Sequence, residues 1–189
     1  MSTIAICVGH SRKVNGRPEG GAVSHDGRSN EWIYNLPLAG EIAALLAGKV
    51  DKVEIISEYQ GEGYGSAQRW LAKHLKSLGA TLAVELHFNS ASSDGTGHEW
   101  LYWHNSTNGK KLATSLHLNM CLVLPQIKSR GIKPKFSGDR GSEFLSGTHC
   151  PAIIAEPFFG SHPADWATAQ SHRSDIARAI AEGILDYLD

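Results

Sequence analysis

Short runs of apolar residues alternate along this chain with longer segments in which apolar residues recur at helical spacing. Each run is nearly continuous in apolar character and shorter than an ordinary helix, which is typical of strands that are covered on both faces. We therefore predict strands of a largely buried sheet at residues 4–8, 53–57, 81–88, 98–103 and 151–159.

The segments between the runs predict helices, because their apolar residues return every three or four positions. The predicted helices cover residues 30–49, 66–79, 109–124 and 172–188. The alternation of strands and helices predicts an α/β domain with a mostly parallel, twisted sheet and helices on both of its faces. Residues 126–150 are rich in glycine, serine and lysine and predict a long loop, which inside a compact domain is usually functional.

Composition narrows the class of protein. A length of 189 residues fits one domain, and a net charge of −1 gives no basic surface for nucleic acid or for an anionic membrane. Three widely spaced cysteines form no C-x-x-C pair, which argues against a disulfide framework. The N-terminus lacks the pattern of a signal peptide, and no apolar stretch approaches the roughly 18 residues of a membrane span. We expect synthesis in the cytoplasm without a signal peptide, and no membrane insertion.

Polar side chains follow three of the predicted strands. His10 comes directly after the first apolar run, His87 lies near the end of the third, and Glu156 ends the apolar part of the last. Glu31 stands at the expected start of the first helix. Ligands of open α/β sheets bind outside the carboxyl ends of the strands. If these strands are parallel neighbours, the four side chains converge at one edge of the sheet.

Such a set suits zinc. A catalytic zinc takes about three histidine or carboxylate ligands and keeps one position open, where it lowers the pKa of water to about 7 and polarises a carbonyl. His10, Glu31 and His87 form a ligand set for one zinc per chain, and Glu156 is then free for proton transfer. The residues alone leave alternatives open: His10 is an ordinary loop histidine, or Glu31 only interacts favourably with the helix dipole.

Several motifs in a fixed order add to this interpretation. They are the Gly-His pair after the first strand, Glu31 opening the first helix, and the segments "ELHFN", "GHEWLYW", "RGIK" and "PAIIAEPFFG". Together they resemble the zinc-dependent N-acetylmuramoyl-L-alanine amidases of amidase type 3, a family that includes phage endolysins and bacterial cell-wall amidases. The resemblance implies that His10, Glu31 and His87 bind zinc, and that Glu156 is the general base and acid.

The resemblance has one departure close to the proposed ligands. The family has a serine two residues before its second histidine, and this chain has Glu85 there. A carboxylate at this position either contacts the surroundings of the metal or points to the opposite face of the strand.

The resemblance also implies a reaction, namely hydrolysis of the amide between the lactyl group of N-acetylmuramic acid and L-alanine in peptidoglycan. Asn89, Arg12, Lys13 and Arg130 are candidates for binding this substrate. Asn89 follows His87 by two residues, and Arg130 begins the "RGIK" segment. Arg12 and Lys13 either meet the acidic stem peptide or are ordinary loop charges.

Because the resemblance fills the chain, we expect residues 1–189 to be one catalytic domain with no separate wall-binding domain. We expect a monomer whose partner is peptidoglycan, with a phage or prophage endolysin as its first setting and a domain of a longer enzyme as the second. Such an enzyme acts on the cell wall after release from the host cytoplasm. Two alternatives remain: a zinc carboxypeptidase or deacylase that acts on another acyl amide, and a non-catalytic relative that only binds peptidoglycan.

Overall fold

The computed structural model describes residues 2–14, 16–91 and 95–189. The strands within these ranges are β1 (Thr3–Val8), β2 (Ser11–Val14), β3 (Arg17–Glu19), β4 (Lys52–Ile56), β5 (Leu82–Leu86), β6 (His98–Trp103), β7 (Ser129–Lys135) and β8 (Ala152–Glu156). Six of them form one sheet in the order β4-β1-β5-β8-β6-β7, and β2 pairs with β3 in a small antiparallel sheet. In the main sheet β4, β1, β5 and β8 are parallel, while β6 runs antiparallel to β8. The predicted mostly parallel sheet is confirmed.

Helices cover both faces of this sheet, as the sequence predicts. The helices in the described ranges are α1 (Glu31–Leu46), α2 (Tyr64–Ser77), α3 (Thr107–Val123), α4 (Ser142–Gly147), α5 (Pro163–Ser171) and α6 (Arg173–Leu188). Alternation along β1 separates two cores: Ile4, Ile6 and Val8 pack on the side of α1, α3 and α6, whereas Ala5 and Cys7 pack on the side of α2 and α4. No helix in the described ranges has the length and apolar character needed to cross a membrane.

The prediction of a loop at residues 126–150 is wrong for much of its length. β7 and α4 both lie inside this segment. Gly131 and Pro134 interrupt the apolar alternation of β7, and this strand has only one neighbour, β6, because it lies at the edge of the sheet. Edge strands tolerate proline and need not be buried on both faces. The sequence of β7 therefore lacks the apolar run that would predict a strand.

The sequence also gives no signal for α5 and for the pair β2 and β3. The helix α5 is short, begins with Pro163 after the N-cap His162, and ends just before α6. The strands β2 and β3 are short and mostly polar, because they lie outside the main sheet. Their placement is nevertheless important, because β3 brings Glu19 back to the end of β1.

Two helical glycines offer a matched test of the packing between α3 and α6. A Cβ atom at Gly183 would lie 2.7 Å from the Cα of Leu116, whereas a Cβ at Gly40 on the exposed side of α1 meets nothing within 4 Å. We expect Gly183→Ala to lower the free energy of unfolding by about 1–3 kcal/mol through overpacking. Gly40→Ala should raise it by about 0.5–1 kcal/mol through helix propensity. Urea denaturation of both variants measures this, and equal effects would contradict the packing described here.

Candidate active site

His10 lies in the turn between β1 and β2, with its ring buried at the sheet edge. Its φ of 69° makes it the one residue other than glycine with positive φ in the described ranges. Its Nδ1 atom lies 2.5 Å from Oε1 of Glu19, whose Oε2 accepts a hydrogen bond from the backbone N–H of Ser11. A carboxylate can only accept, so in the neutral ring Nδ1 carries the proton and Nε2 keeps a lone pair. Strained backbone of this kind often accompanies functional sites.

His87 directly follows β5 and lies against the neighbouring strand β1. A Cβ atom at Gly9 would collide with the carbonyl oxygen of Leu86 and would lie 2.5 Å from the ring of His87. The close approach therefore requires glycine before His10, which gives a physical reason for the Gly-His pair. The rings of His10 and His87 meet edge to face, with centroids 5.1 Å apart.

Glu85 lies behind His87, on the side of the ring that faces away from Glu31. Its side chain is fully buried and accepts hydrogen bonds from Gln68 Nε2 at 2.9 Å and from the hydroxyl of Tyr59 at 3.2 Å. Its Oε2 atom lies 3.2 Å from Nε2 of His87, although the two atoms are not aligned for a hydrogen bond. Each histidine thus has a carboxylate behind it, Glu19 for His10 and Glu85 for His87.

Glu31 connects the two histidines. It is the first residue of α1, with Asn30 as N-cap, and its carboxylate is buried. Its Oε2 lies 2.8 Å from Nδ1 of His87, and its Oε1 lies 3.4 Å from Nε2 of His10. Backbone N–H groups of Ala22 and Phe88 donate to the same carboxylate at 2.9 and 3.2 Å. Glu31 is therefore held in one orientation between both imidazoles.

These three side chains fit a metal ion. One ligand atom from each of His10, Glu31 and His87 can be chosen so that all lie within 4.8 Å of one another. Nε2 of His10 is buried without a hydrogen-bond partner and faces Glu31. A carboxylate that accepts from the far ring nitrogen, as Glu19 does from His10, is a usual partner of metal-binding imidazoles. Two histidines and one carboxylate match the donor set of a catalytic zinc.

Without a metal, the site holds protons instead. Burial disfavours the imidazolium form, but the hydrogen bond with Glu19 and the nearby carboxylate of Glu31 outweigh it and raise the pKa of His10. Burial is likewise outweighed at His87, where Glu85 and Glu31 raise the pKa well above its ordinary value. The same contacts hold the pKa of Glu31 far below its usual range despite burial. A cation that binds these residues therefore displaces protons.

Glu156 ends β8 and faces Glu99 across the antiparallel pair of β8 and β6. Its Oε2 atom is buried without a hydrogen-bond partner. Burial raises the pKa of Glu156 to about 8, with further contributions from the negative charges of Glu31 and Glu99. A carboxyl group that titrates near neutral pH can both accept and donate a proton during a reaction.

A cavity of about 450 Å³ opens beside these groups. Glu31, His87 and Glu156 line it together with residues that sequence reasoning did not assign to the site: Tyr64, Glu99, Lys135 and Arg140. Glu99 was missed because a parallel β6 would begin at the opposite edge of the sheet. The reversed direction of β6 brings its first residues to the edge where β8 ends.

The four candidates for substrate binding have different placements. Asn89 lines the cavity and donates from Nδ2 to Oε1 of Glu99 at 2.8 Å. Arg130 donates from Nε to the other oxygen of Glu99 at 2.8 Å, so it is joined to the cavity through this carboxylate. Lys13 is exposed on β2 and does not line the cavity. The side chain of Arg12 lies outside the described part of the chain.

A second group of metal-binding residue types lies between β6 and α3, but its hydrogen bonds do not suit a metal. The indole N–H of Trp100 donates to Nδ1 of His98 at 3.0 Å, so the neutral ring carries its proton on Nε2. That atom lies 3.8 Å from Sγ of Cys121. Burial and the nearby His117 lower the pKa of His98 to about 4, which keeps the ring neutral. The group therefore fits a contact between imidazole and thiol.

At one edge of this α/β sheet, two histidines and several carboxylates converge in an arrangement that could hold a metal ion and that suits a hydrolase. The family model described as N-acetylmuramoyl-L-alanine amidase matches residues 4–186. The chain belongs to this family, and it is an enzyme that hydrolyses an amide bond of peptidoglycan.

Solved structures agree with this assignment. The catalytic domain of the CD27L endolysin targeting Clostridia difficile is 28% identical, with a TM-score of 0.83 and coverage of 98% of both chains. The catalytic domain of the amidase CwlV from Bacillus (Paenibacillus) polymyxa is 24% identical, with a TM-score of 0.81, and the match covers 100% of this chain and 99% of that one. The CwlD amidase from Clostridioides difficile, in complex with the GerS lipoprotein, is 20% identical, with a TM-score of 0.84 and coverage of 100% and 98%. The comparison with curated protein sequences gives no match.

The raised pKa of Glu156 predicts how the metal-free protein responds to pH. A carboxyl group whose pKa is higher in the folded state stabilises the fold fully below its unfolded pKa of about 4.3, and this contribution is lost as the pH rises toward 8. Glu156→Gln does not titrate, so its stability relative to the wild type should increase between about pH 5 and about pH 8.5.

Chemical denaturation of chelator-treated protein at both pH values measures this difference. Glu62→Gln removes a charge from an exposed residue and serves as the control. A stability difference between Glu156→Gln and the wild type that stays constant over this range would show that Glu156 ionises as an ordinary carboxyl group.

Proposed function

We propose that the chain is a zinc-dependent amidase that cleaves the bond between the lactyl carbonyl of N-acetylmuramic acid and the amino group of L-alanine. His10, Glu31 and His87 would hold one zinc ion per chain. The observation that carries the proposal is the position of Glu31 between His10 and His87, with the ring of His10 oriented by its hydrogen bond to Glu19. When bound, zinc supplies a Lewis acid for the scissile carbonyl and lowers the pKa of water.

Glu156 carries the protons in this proposal. Glu156 lines the same cavity as Glu31 and His87, and its buried Oε2 atom has no hydrogen-bond partner. It takes a proton from the attacking water and delivers it to the departing nitrogen of L-alanine, which otherwise leaves as an unstable amide anion. The negative charges of Glu31 and Glu99 favour the protonated form that the second step needs.

Glu99 has a positioning role. It accepts hydrogen bonds from Asn89 and Arg130. Because Glu99 on β6 lies opposite Glu156 on β8, these bonds hold both side chains beside Glu156. The hydrogen-bonding capacity of the Asn89 amide that Glu99 does not use is available for substrate at the cavity wall. Arg130 has its charge compensated by Glu99, so we assign it to the support of this wall.

We further propose an endolysin-like setting, in which a monomer acts on the cell wall after release from the host cytoplasm. The endolysin catalytic domain named above, which is similar over nearly its whole length, supports the endolysin-like setting.

Digestion of purified peptidoglycan, with products read by mass spectrometry, tests the proposal. The wild type should release peptides that begin with L-alanine and keep their full length, and a chelator should abolish this release until zinc is added. Peptides shortened at the carboxyl end would instead favour a carboxypeptidase. Binding of peptidoglycan without any product from the zinc-loaded protein would favour a non-catalytic relative.

Glu156→Gln tests the assignment of the proton carrier in the same assay. The variant should fold, keep about one zinc per chain and bind peptidoglycan, yet release product at least about a hundredfold more slowly. Loss of zinc would make Glu156 a metal ligand. Turnover close to that of the wild type would show that Glu156 has a structural role.

A further inference from the structure

Two cations line the cavity without compensating charges. Lys135 ends β7 and is partly buried, and Arg140 precedes α4 and is exposed. Neither forms an ion pair with a carboxylate among the side chains that the structure describes. Arg130 is different, because its guanidinium is bound to Glu99 at 2.8 Å. The cavity therefore offers uncompensated positive charge at Lys135 and Arg140, beyond the acidic end formed by Glu31, Glu99 and Glu156.

Tyr64 connects Arg140 to the proposed metal ligands. The guanidinium carbon of Arg140 lies 5.5 Å from the centroid of the Tyr64 ring. The centroid of the same ring lies 6.2 Å from that of His10. Stacking of an arginine on an aromatic ring limits the orientations of the guanidinium and leaves its N–H groups available. Tyr64 thus contacts both Arg140 and His10, and it places the guanidinium close to the proposed metal ligands.

We propose that Lys135 and Arg140 form a subsite that binds a carboxylate of the stem peptide, an inference that rests on the proposed function. The second stem residue, attached to L-alanine, carries a free carboxylate in some peptidoglycans and a carboxamide in others. Two residues of extended chain span about 7 Å. Lys135 and Arg140 line the same cavity as Glu31 and Glu156, so a peptide whose scissile bond lies near these carboxylates extends along the wall that carries Arg140.

The chemistry of the two residues suits an anion and distinguishes it from its amide. Arginine binds a carboxylate through two parallel N–H donors, and lysine adds a point charge. A carboxamide offers one acceptor oxygen and no charge, and its NH₂ group would face donors. The subsite therefore makes the enzyme selective for the free acid over the amidated form of the same stem peptide.

A pair of muropeptides that differ only in this group tests the subsite. The zinc-loaded wild type should hydrolyse the free acid with a kcat/KM at least about tenfold above that of the amide, since a charge-assisted hydrogen bond is lost. Arg140→Gln and Lys135→Gln should each reduce this preference, mainly through KM. Lys110→Gln, an exposed lysine on the opposite face of the sheet, should keep the preference of the wild type.

Binding of the same two muropeptides to Glu156→Gln, measured by calorimetry, separates this inference from the proposed function. If the wild type hydrolyses neither compound, the proposed function fails, and the binding preference still reports on the subsite. Equal affinity for the acid and the amide would overturn the subsite. So would a preference that survives in the double variant Arg140→Gln/Lys135→Gln.

Discussion

The buried carboxylate of Glu31 is the interaction on which the rest of the site depends. Burial of a charged carboxylate costs free energy unless charges and donors compensate it. Here His10 and His87 approach its two oxygens, and backbone N–H groups of Ala22 and Phe88 complete its hydrogen bonds. The same group that would ligate a cation therefore already determines where α1 begins relative to β1 and β5.

Small residues make this arrangement sterically possible. Gly9 lets β1 pass against His87, and Gly21, with a φ of 77°, lies where a Cβ atom would be 2.5 Å from the ring of His10 and 2.8 Å from Glu31. Behind the histidines, Glu19 accepts a hydrogen bond from Nδ1 of His10, and Glu85 lies 3.2 Å from Nε2 of His87. The site is thus a set of compensated charges enclosed by backbone, with the cavity as its opening to solvent.

Sequence reasoning placed Glu31 at the start of the first helix, and one general rule brings the other three central residues together. His10, His87 and Glu156 follow strands that are parallel neighbours, so the carboxyl ends of β1, β5 and β8 meet at one edge. Glu85 was found as a departure from the family pattern, but its position behind His87 depends on packing against α2. Glu19 was missed because it lies on a short polar strand that has no apolar periodicity.

The sequence could not predict site residues whose positions depend on the direction of a strand or on elements at the edge of the sheet. Glu99 belongs to the site because β6 is reversed, and an apolar run carries no information on its direction. Lys135 and Arg140 lie in a segment whose glycine and proline predict a loop, while the structure has β7 and α4 there. Local composition is a poor predictor of secondary structure in such segments, because a neighbouring strand or helix supplies the stabilising contacts.

Zinc titration of metal-free protein tests the central claim most directly, by comparing the wild type with Glu31→Gln. Glutamine keeps the size of the side chain and removes the charge between the two histidines. The account predicts about one zinc per chain for the wild type and an affinity at least about a hundredfold lower for the variant. Unchanged zinc affinity, together with a stability loss of only about 0.3–1 kcal/mol, would contradict it, because Glu31 would then act only on the helix dipole.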